Sequence, residues 1–495
     1  MSMNIVREMW RKPATISLSI IILSIVVLSL SVNDWSFWLD EAITAEMYSV
    51  DTFSELLDQF GIYMGSEVQM PGWIAFMWAW CKLFGSSEYA LRSANFLFMG
   101  LLLMYFLCIL MRRELAGRER KVLWIAIVLS VINPFVLYNM NEARCNIPMF
   151  AISFINVLSL WQFMKYGKRI DFLICVCCLV VGYAFNMLYG FLYVAMAAYI
   201  LYDKSRRHMH WVNLCKGNAV VVTIAVLLFV TFTVYYLITV FGENKGGQIE
   251  RPGIGNIGYV MYEFTGFGGL GPNKNTLRES DDKVALLLSY LPYIIPLVLC
   301  YLALFVHSLR KYWQDKKIDG FFFAFIVGFA VFFIAAFVIQ FRFWGRHLFF
   351  LYPYWLLFMA CCICHFANGG KRMVRVAVLG LFAVLIAISS YRMMFANDYK
   401  KENVKMIVDE CRRLRLPGEW VYWTESKSTA LYYGLNDRVH FASFPEDDSD
   451  GGMLVWFNRL RPYKEKEYSE FLELKPQLLY EDREFAVYRF ASCGK

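Results

Sequence analysis

The tetrapeptide Trp38-Leu39-Asp40-Glu41 follows an apolar run by a few residues and carries two adjacent carboxylates. Neighbouring side chains diverge on a helix and point to opposite faces of a strand. The pair is therefore suited to two jobs rather than to one shared proton: a base facing an acceptor, and a metal or hydrogen-bond partner beside it. From spacing alone, a solvated acidic loop is the plainer account. Further on, Tyr138-Asn139-Met140-Asn141-Glu142-Ala143-Arg144 sets a carboxylate and a guanidinium two apart. Arg92 opens another apolar run, and Arg342, Arg346 and His347 cluster between two more. Ionisable groups at membrane depth cost roughly 2.5–3.5 kcal/mol on insertion scales. Near the ends of spans they can snorkel to the interface. Arginines converging on one face point instead to a phosphate, whose oxygens match the guanidinium fork. At a membrane surface, a phosphate is most simply a lipid head group.

The elements that must position these residues are set by composition. The chain has 495 residues, 58% hydrophobic and only 18% charged, with a mean hydropathy of +0.44. Soluble chains run about 45–50% apolar and about 25% charged. So apolar a chain is neither disordered nor a small disulfide scaffold. Its 13 Cys sit mostly inside apolar runs and read as small reduced hydrophobes. We count about eleven helical spans of roughly the required length, at roughly 14–32, 89–111, 122–138, 147–164, 171–185, 187–203, 217–240, 284–306, 321–340, 347–366 and 374–392. The run 72–84 is short and reads as an interfacial helix.

Basic clusters recur at Arg7 to Lys12, Arg112 to Lys121, Lys165 to Arg169, Lys204 to Arg207, Arg310 to Lys317 and Lys371 to Arg375. All fall on the N-terminal side of this arrangement, which puts the N-terminus in the cytoplasm and 393–495 outside. The net charge of +8 thus reads as membrane topology, with no nucleic-acid partner. Residues 1–392 form the membrane domain. Its first outer loop, 33–71, is acidic; its second, 241–283, is Gly-rich and contains Lys245, Arg251, Lys274 and Arg278. The tail alternates strand-like and helical stretches and reads as a small extracytoplasmic α/β domain.

Taken in order, WLDEAIT at 38–44, the run from Met70 to Ala94, NPFVLYNMNEARCN at 133–146 and WGRHLFFLYP at 344–353 resemble the GT-C fold glycosyltransferases. The resemblance is nearest to the family 39-like branch of dolichyl-phosphate-mannose protein mannosyltransferases and aminoarabinose transferases. It covers most of residues 30–360 and extends to the tail. It implies an all-α polytopic membrane domain with a small α/β cap, and inverting transfer of a sugar from a polyprenyl-phosphate donor to a glycan, lipid or protein acceptor. A bacterial inner membrane is the expected location, with membrane lipids around the bundle.

Carried onto this chain, the resemblance makes Asp40, Glu41 and Glu142 the catalytic candidates. Arg92, Arg144, Arg346, His347 and Arg278 become the donor-phosphate candidates. It leaves room for a divalent metal, magnesium or manganese, near Asp40. One departure stands out: where such enzymes often have His-Pro-Pro or Glu-Lys-Pro, this chain has Gln69-Met70-Pro71. The charged group expected there is missing, and Glu67 is its nearest substitute as a metal ligand. A flippase or carrier for a lipid-linked or anionic solute would use the same arginines without breaking bonds. Transporters, however, place their sites near the midplane and often carry internal repeats; the charged candidates here gather at one face, and no repeat is evident.

Overall fold

A computed structural model describes residues 3–33, 35–62, 67–202, 217–242, 250–273, 276–277, 280, 282–314, 319–369, 371–399, 401–441, 451–458 and 464–491. Each of the eleven expected spans coincides with helix. Among the described residues, seven helices are long and apolar enough to cross a membrane unaided, including α1 (Met3–Ser31), α5 (Glu88–Leu110), α8 (Asn146–Tyr166) and α17 (Arg372–Phe395). A further apolar stretch is a bent pair, α6 (Gly117–Ile132) and α7 (Pro134–Met140), whose axes differ by 53° and which passes the same test when its two parts are taken together. Pro134 has no N–H to continue the helix, and the Asn133 side chain caps the new one by accepting from the Phe135 N–H at 2.9 Å. The helices Arg169–Phe185, Gly190–Tyr202 and Tyr352–Ala367 are shorter.

Burial separates the inner helices from the lipid-facing ones. The apolar window of α8 is 89% buried and forms the bundle's axis, whereas that of Ala219–Val240 is 6% buried and turns nearly all its apolar surface outward. Such exposure is stable only against hydrocarbon.

Two expected boundaries move. The span drawn at 284–306 begins at Leu291, after a break at Tyr290. Residues 345–348 form a 3-10 turn, and the helix after it starts at Tyr352, where Pro353 suits the first turn. Helix α4 (Pro71–Phe84) has 14 residues, about 21 Å at 1.5 Å per residue, too short for a hydrocarbon core of about 30 Å. It packs Trp73, Ile74 and Met77 inward.

The tail folds as a five-stranded sheet of order β2-β1-β3-β5-β4. Strands β1 (Trp420–Trp423), β2 (Val439–His440) and β3 (Gly452–Phe457) run parallel, and β4 (Gln477–Glu481) and β5 (Phe485–Phe490) join antiparallel. Helices Val404–Leu414, Lys427–Tyr432 and Glu465–Glu473 accompany it. The short β2 was not expected.

The tail holds the first outer loop directly. The Phe37 N–H donates to the Tyr433 hydroxyl at 2.7 Å, and that hydroxyl donates to Glu88 at 3.0 Å. The rings of Phe37 and Tyr432 lie 4.9 Å apart. The Lys405 N–H donates to the Ser36 hydroxyl at 3.0 Å. In the Gly-rich second loop, a Cβ on Gly269 would lie 1.9 Å from the Ser389 carbonyl oxygen, so only glycine lets this loop close against α17.

Candidate functional site

Helix α2 (Leu39–Tyr48) starts where the chain leaves an extended Trp38, so Asp40 and Glu41 occupy its first turn, where carboxylates complement the helix dipole. Consecutive helical residues are about 100° apart, and the two carboxylates part company.

Glu41 turns inward. Both of its oxygens face Arg92 of α5, at 3.2 to 3.3 Å. Oε1 also accepts from the Ala143 N–H at 2.8 Å, and Oε2 from Lys401 Nζ at 2.6 Å. Glu41 and Arg92 side chains are fully buried and Lys401 is 2% exposed. Arg92 spends its remaining donors on the carbonyls of Asn33, Trp35 and Ser36, and Lys401 donates to the Asn141 carbonyl at 2.6 Å. The cluster thus ties four segments together: the first loop, α5, the turn at 141–145 and the start of the tail. Burial, with Arg92 nearby, pushes Lys401 down to about 8 against the pull of Glu41 and Glu142. Burial works to raise the Glu41 carboxyl, but Arg92 and Lys401 hold it below its ordinary value.

Asp40 turns the other way. Its Oδ2 accepts from Arg346 Nη2 at 3.2 Å, and the Arg346 guanidinium lies over the Trp38 ring, 5.3 Å from its centroid. Each side chain of this pair is about a quarter exposed (25% and 26%). Burial raises the Asp40 carboxyl, while Arg346 and Arg144 outweigh it and hold the group below its ordinary value.

Arg144 bonds through Nη1 to Glu67 at 2.8 Å and to the Asp40 carbonyl at 3.0 Å, with both side chains 7% exposed. Glu142 is fully buried in its turn and accepts from the Asn146 amide at 2.8 Å. The structure therefore brings Asp40, Glu41, Arg92, Arg144, Glu67 and Arg346 to one end of the bundle but divides their work. Arg92 and Arg144 sit in buried ion pairs, and Glu41 and Glu142 are buried. Arg278 lies outside the described residues.

The residues do not fit a divalent metal. Asp40 and Glu67 each face an arginine, and no three His, Cys, Asp or Glu side chains gather for a metal among the described residues.

His347 differs from the expected phosphate cation. Its Nδ1 accepts from the Trp344 N–H at 2.9 Å, and burial, reinforced by Arg346, lowers it to about 3. The unfolded chain takes up a proton below about pH 6.5 that the folded ring refuses until about 3. The folded state therefore loses stability as pH falls through that window. The loss is smaller than about 1.4 kcal/mol per pH unit, because part of the ring stays open to solvent. His347→Asn, whose Oδ1 can replace Nδ1 as acceptor, is expected to flatten this acid dependence. Unfolding temperatures in detergent at about pH 7.5 and 5.5 measure it.

Trp38 also lines a narrow cavity. Aromatic residues Phe135, Tyr138, Tyr262 and Tyr399 form much of its wall, with Glu263, Asn273, Lys401 and Glu402 as polar groups. Glu263 also accepts from the Gly345 N–H at 2.8 Å, fixing the turn that presents Arg346. Sequence reasoning missed Lys401, Glu402 and Glu263. One signal was available for the first: Lys400-Lys401 follows the last span on the outer side, against the usual bias of basic residues toward the cytoplasm.

An apolar helical bundle, a carboxylate-bearing first loop and an α/β cap seated on that loop define a polytopic membrane protein of the GT-C architecture. Residues 69–244 match the model of the dolichyl-phosphate-mannose-protein mannosyltransferase family. In three dimensions the chain resembles two crystal structures of ArnT from Cupriavidus metallidurans. The apo form gives a TM-score of 0.55 at 11% identity, and the form bound to undecaprenyl phosphate gives 0.51 at 12%. Each alignment covers 97% of this chain and 98% of the other. No curated protein matches it in sequence.

Proposed function

We propose that the protein is a membrane glycosyltransferase that moves a sugar, with inversion, from a polyprenyl phosphate to an acceptor hydroxyl. The observation that carries this reading is the Asp40–Arg346 pair. Of the three pairs that join an arginine to a first-loop carboxylate it is the open one, and its Arg346 stacks on Trp38, which lines an aromatic cavity together with residues from the start of the tail. The likeness to a family of lipid-phosphate sugar transferases, and to an ArnT structure holding undecaprenyl phosphate, supports it.

In this reading the aromatic wall and its few polar groups hold the sugar, and Arg346 meets the donor phosphate. The acceptor oxygen attacks the anomeric carbon opposite the phosphate and gives its proton to the Asp40 carboxylate. The new C–O bond forms as the bond from the anomeric carbon to the phosphate oxygen breaks, and its electron pair leaves with the polyprenyl phosphate. Phosphate is a good leaving group, so positioning and charge stabilisation supply most of the barrier reduction. The acceptor is a glycan, lipid or protein. The site faces the outer side of a bacterial inner membrane, opposite the basic loops.

Purified protein in nanodiscs, given radiolabelled polyprenyl-phosphate sugars, is expected to release polyprenyl phosphate only when an acceptor is present. Movement of the intact lipid across vesicles, with no cleavage under any acceptor, would overturn the reading in favour of a carrier.

A further inference from the structure

Three arginines near the first loop are paired with carboxylates, and they are not equivalent. Arg92 is locked to Glu41 with neither side chain exposed, and Arg144 to Glu67 with 7% exposure on each side. Arg346 and Asp40 keep 26% and 25% of their side chains exposed and share one hydrogen bond at 3.2 Å, long for a charge-assisted contact. A phosphate reaching this end of the bundle meets Arg346 without first breaking a buried pair. The guanidinium on Oδ2 also makes the Asp40 carboxylate a weaker base toward a hydroxyl proton, although Oδ1 carries no bond to it.

Resting on the function proposed above, we infer that the Asp40–Arg346 ion pair is exchanged when the donor binds. The lipid phosphate takes over the guanidinium, and the Asp40 carboxylate is released to the acceptor. Two features of the site make the exchange workable. Trp38 supports the guanidinium from one face, so Arg346 can change partner while staying stacked. The Gly345 N–H is fixed by Glu263, so the backbone beneath Arg346 need not move. The released carboxylate would sit beside an anionic phosphate in place of a cation, and a neighbouring anion makes a carboxylate a stronger base. Donor binding would thus switch the base on, and productive binding would be ordered, with lipid first and acceptor second. An enzyme arranged in this way does not activate a nucleophile, water included, before the sugar is in place.

The inference is tested by binding rather than by turnover. Undecaprenyl phosphate is titrated against the full chain in nanodiscs, as wild type, Asp40→Asn, Arg346→Gln and the double variant. If the carboxylate competes with phosphate for the guanidinium, Asp40→Asn binds on the order of fivefold tighter, and Arg346→Gln binds more weakly. In the Arg346→Gln background, Asp40→Asn then changes nothing. Unchanged or weaker binding by Asp40→Asn overturns the exchange. So does an equal gain in both backgrounds, which would mean simple repulsion between carboxylate and phosphate. Both side chains are partly exposed, so the variants are expected to fold; Asp51→Asn, an exposed carboxylate of the same loop that pairs with Lys82, serves as the control for general charge removal and should not reproduce the coupling. The outcome is independent of the proposed reaction. Coupled binding without sugar release would sink the transferase and leave the exchange standing, whereas sugar release without coupling would do the reverse.

Discussion

Asp40→Asn is expected to lower turnover on the order of 10²–10⁴-fold, the range found for a positioned general base, while leaving the fold intact. Asparagine keeps the size and the acceptor oxygen that Arg346 uses, so the variant removes only the negative charge and the proton-accepting capacity. The side chain is a quarter exposed, and its loss strands no fully buried charge. Unfolding temperature should accordingly move little, while release of polyprenyl phosphate in the presence of acceptor falls steeply. With the exchange described above, the lost turnover comes with tighter binding of the lipid, so the defect lies in kcat and not in donor affinity. An Asp40→Asn protein with wild-type turnover would strip the residue of the assigned role. Because Arg346 and Arg144 hold the Asp40 carboxyl below its ordinary value in the free protein, the acid limb of kcat/KM should lie at low pH, whereas the acid limb of kcat, set by the donor complex in which Arg346 has been withdrawn, should lie higher.

Much of this architecture was legible in the sequence because the physics involved is local. A helix that must cross hydrocarbon announces itself by length and apolarity, and all eleven expected segments are helical. The tail's alternation marked it as an α/β unit. The divergence of Asp40 and Glu41 also followed from local geometry, which the first turn of α2 realises.

What sequence could not divide was the labour among like residues. Arg92, Arg144 and Arg346 share a side chain and a bundle end, yet two are structural counterions and one stands open. That difference is decided by partners 51, 77 and 306 positions away. Lys401 reaches Glu41 across 360 positions, and no periodicity carries such information. The turns that were misplaced, at 290 and 345–351, are short breaks inside apolar runs, where hydropathy is uniform and proline and packing set the boundary.

The same partition yields the largest stability prediction. Glu41 is the carboxylate that directly contacts both buried cations, Arg92 and Lys401. Glu41→Gln keeps shape and some hydrogen bonding but leaves both without their partner, at a cost of about 3–5 kcal/mol. That is a large share of a typical margin of about 5–15 kcal/mol. The variant should therefore unfold at markedly lower temperature in detergent, and its tail should become more susceptible to protease as the Lys401 tether fails. A second substitution separates charge balance from chemistry. Lys401→Met removes one cation and fills its space with an apolar chain, so the double variant Glu41→Gln/Lys401→Met should be more stable than Glu41→Gln alone. A Glu41→Gln protein that melts like the wild type and loses only turnover would instead return Glu41 to the reaction, as its place beside Asp40 first implied. The cost has a functional reading as well: one buried carboxylate anchors the loop that carries Asp40, the helix behind it and the cap above it. Charge complementarity among Glu41, Arg92 and Lys401 therefore sets the position of the base.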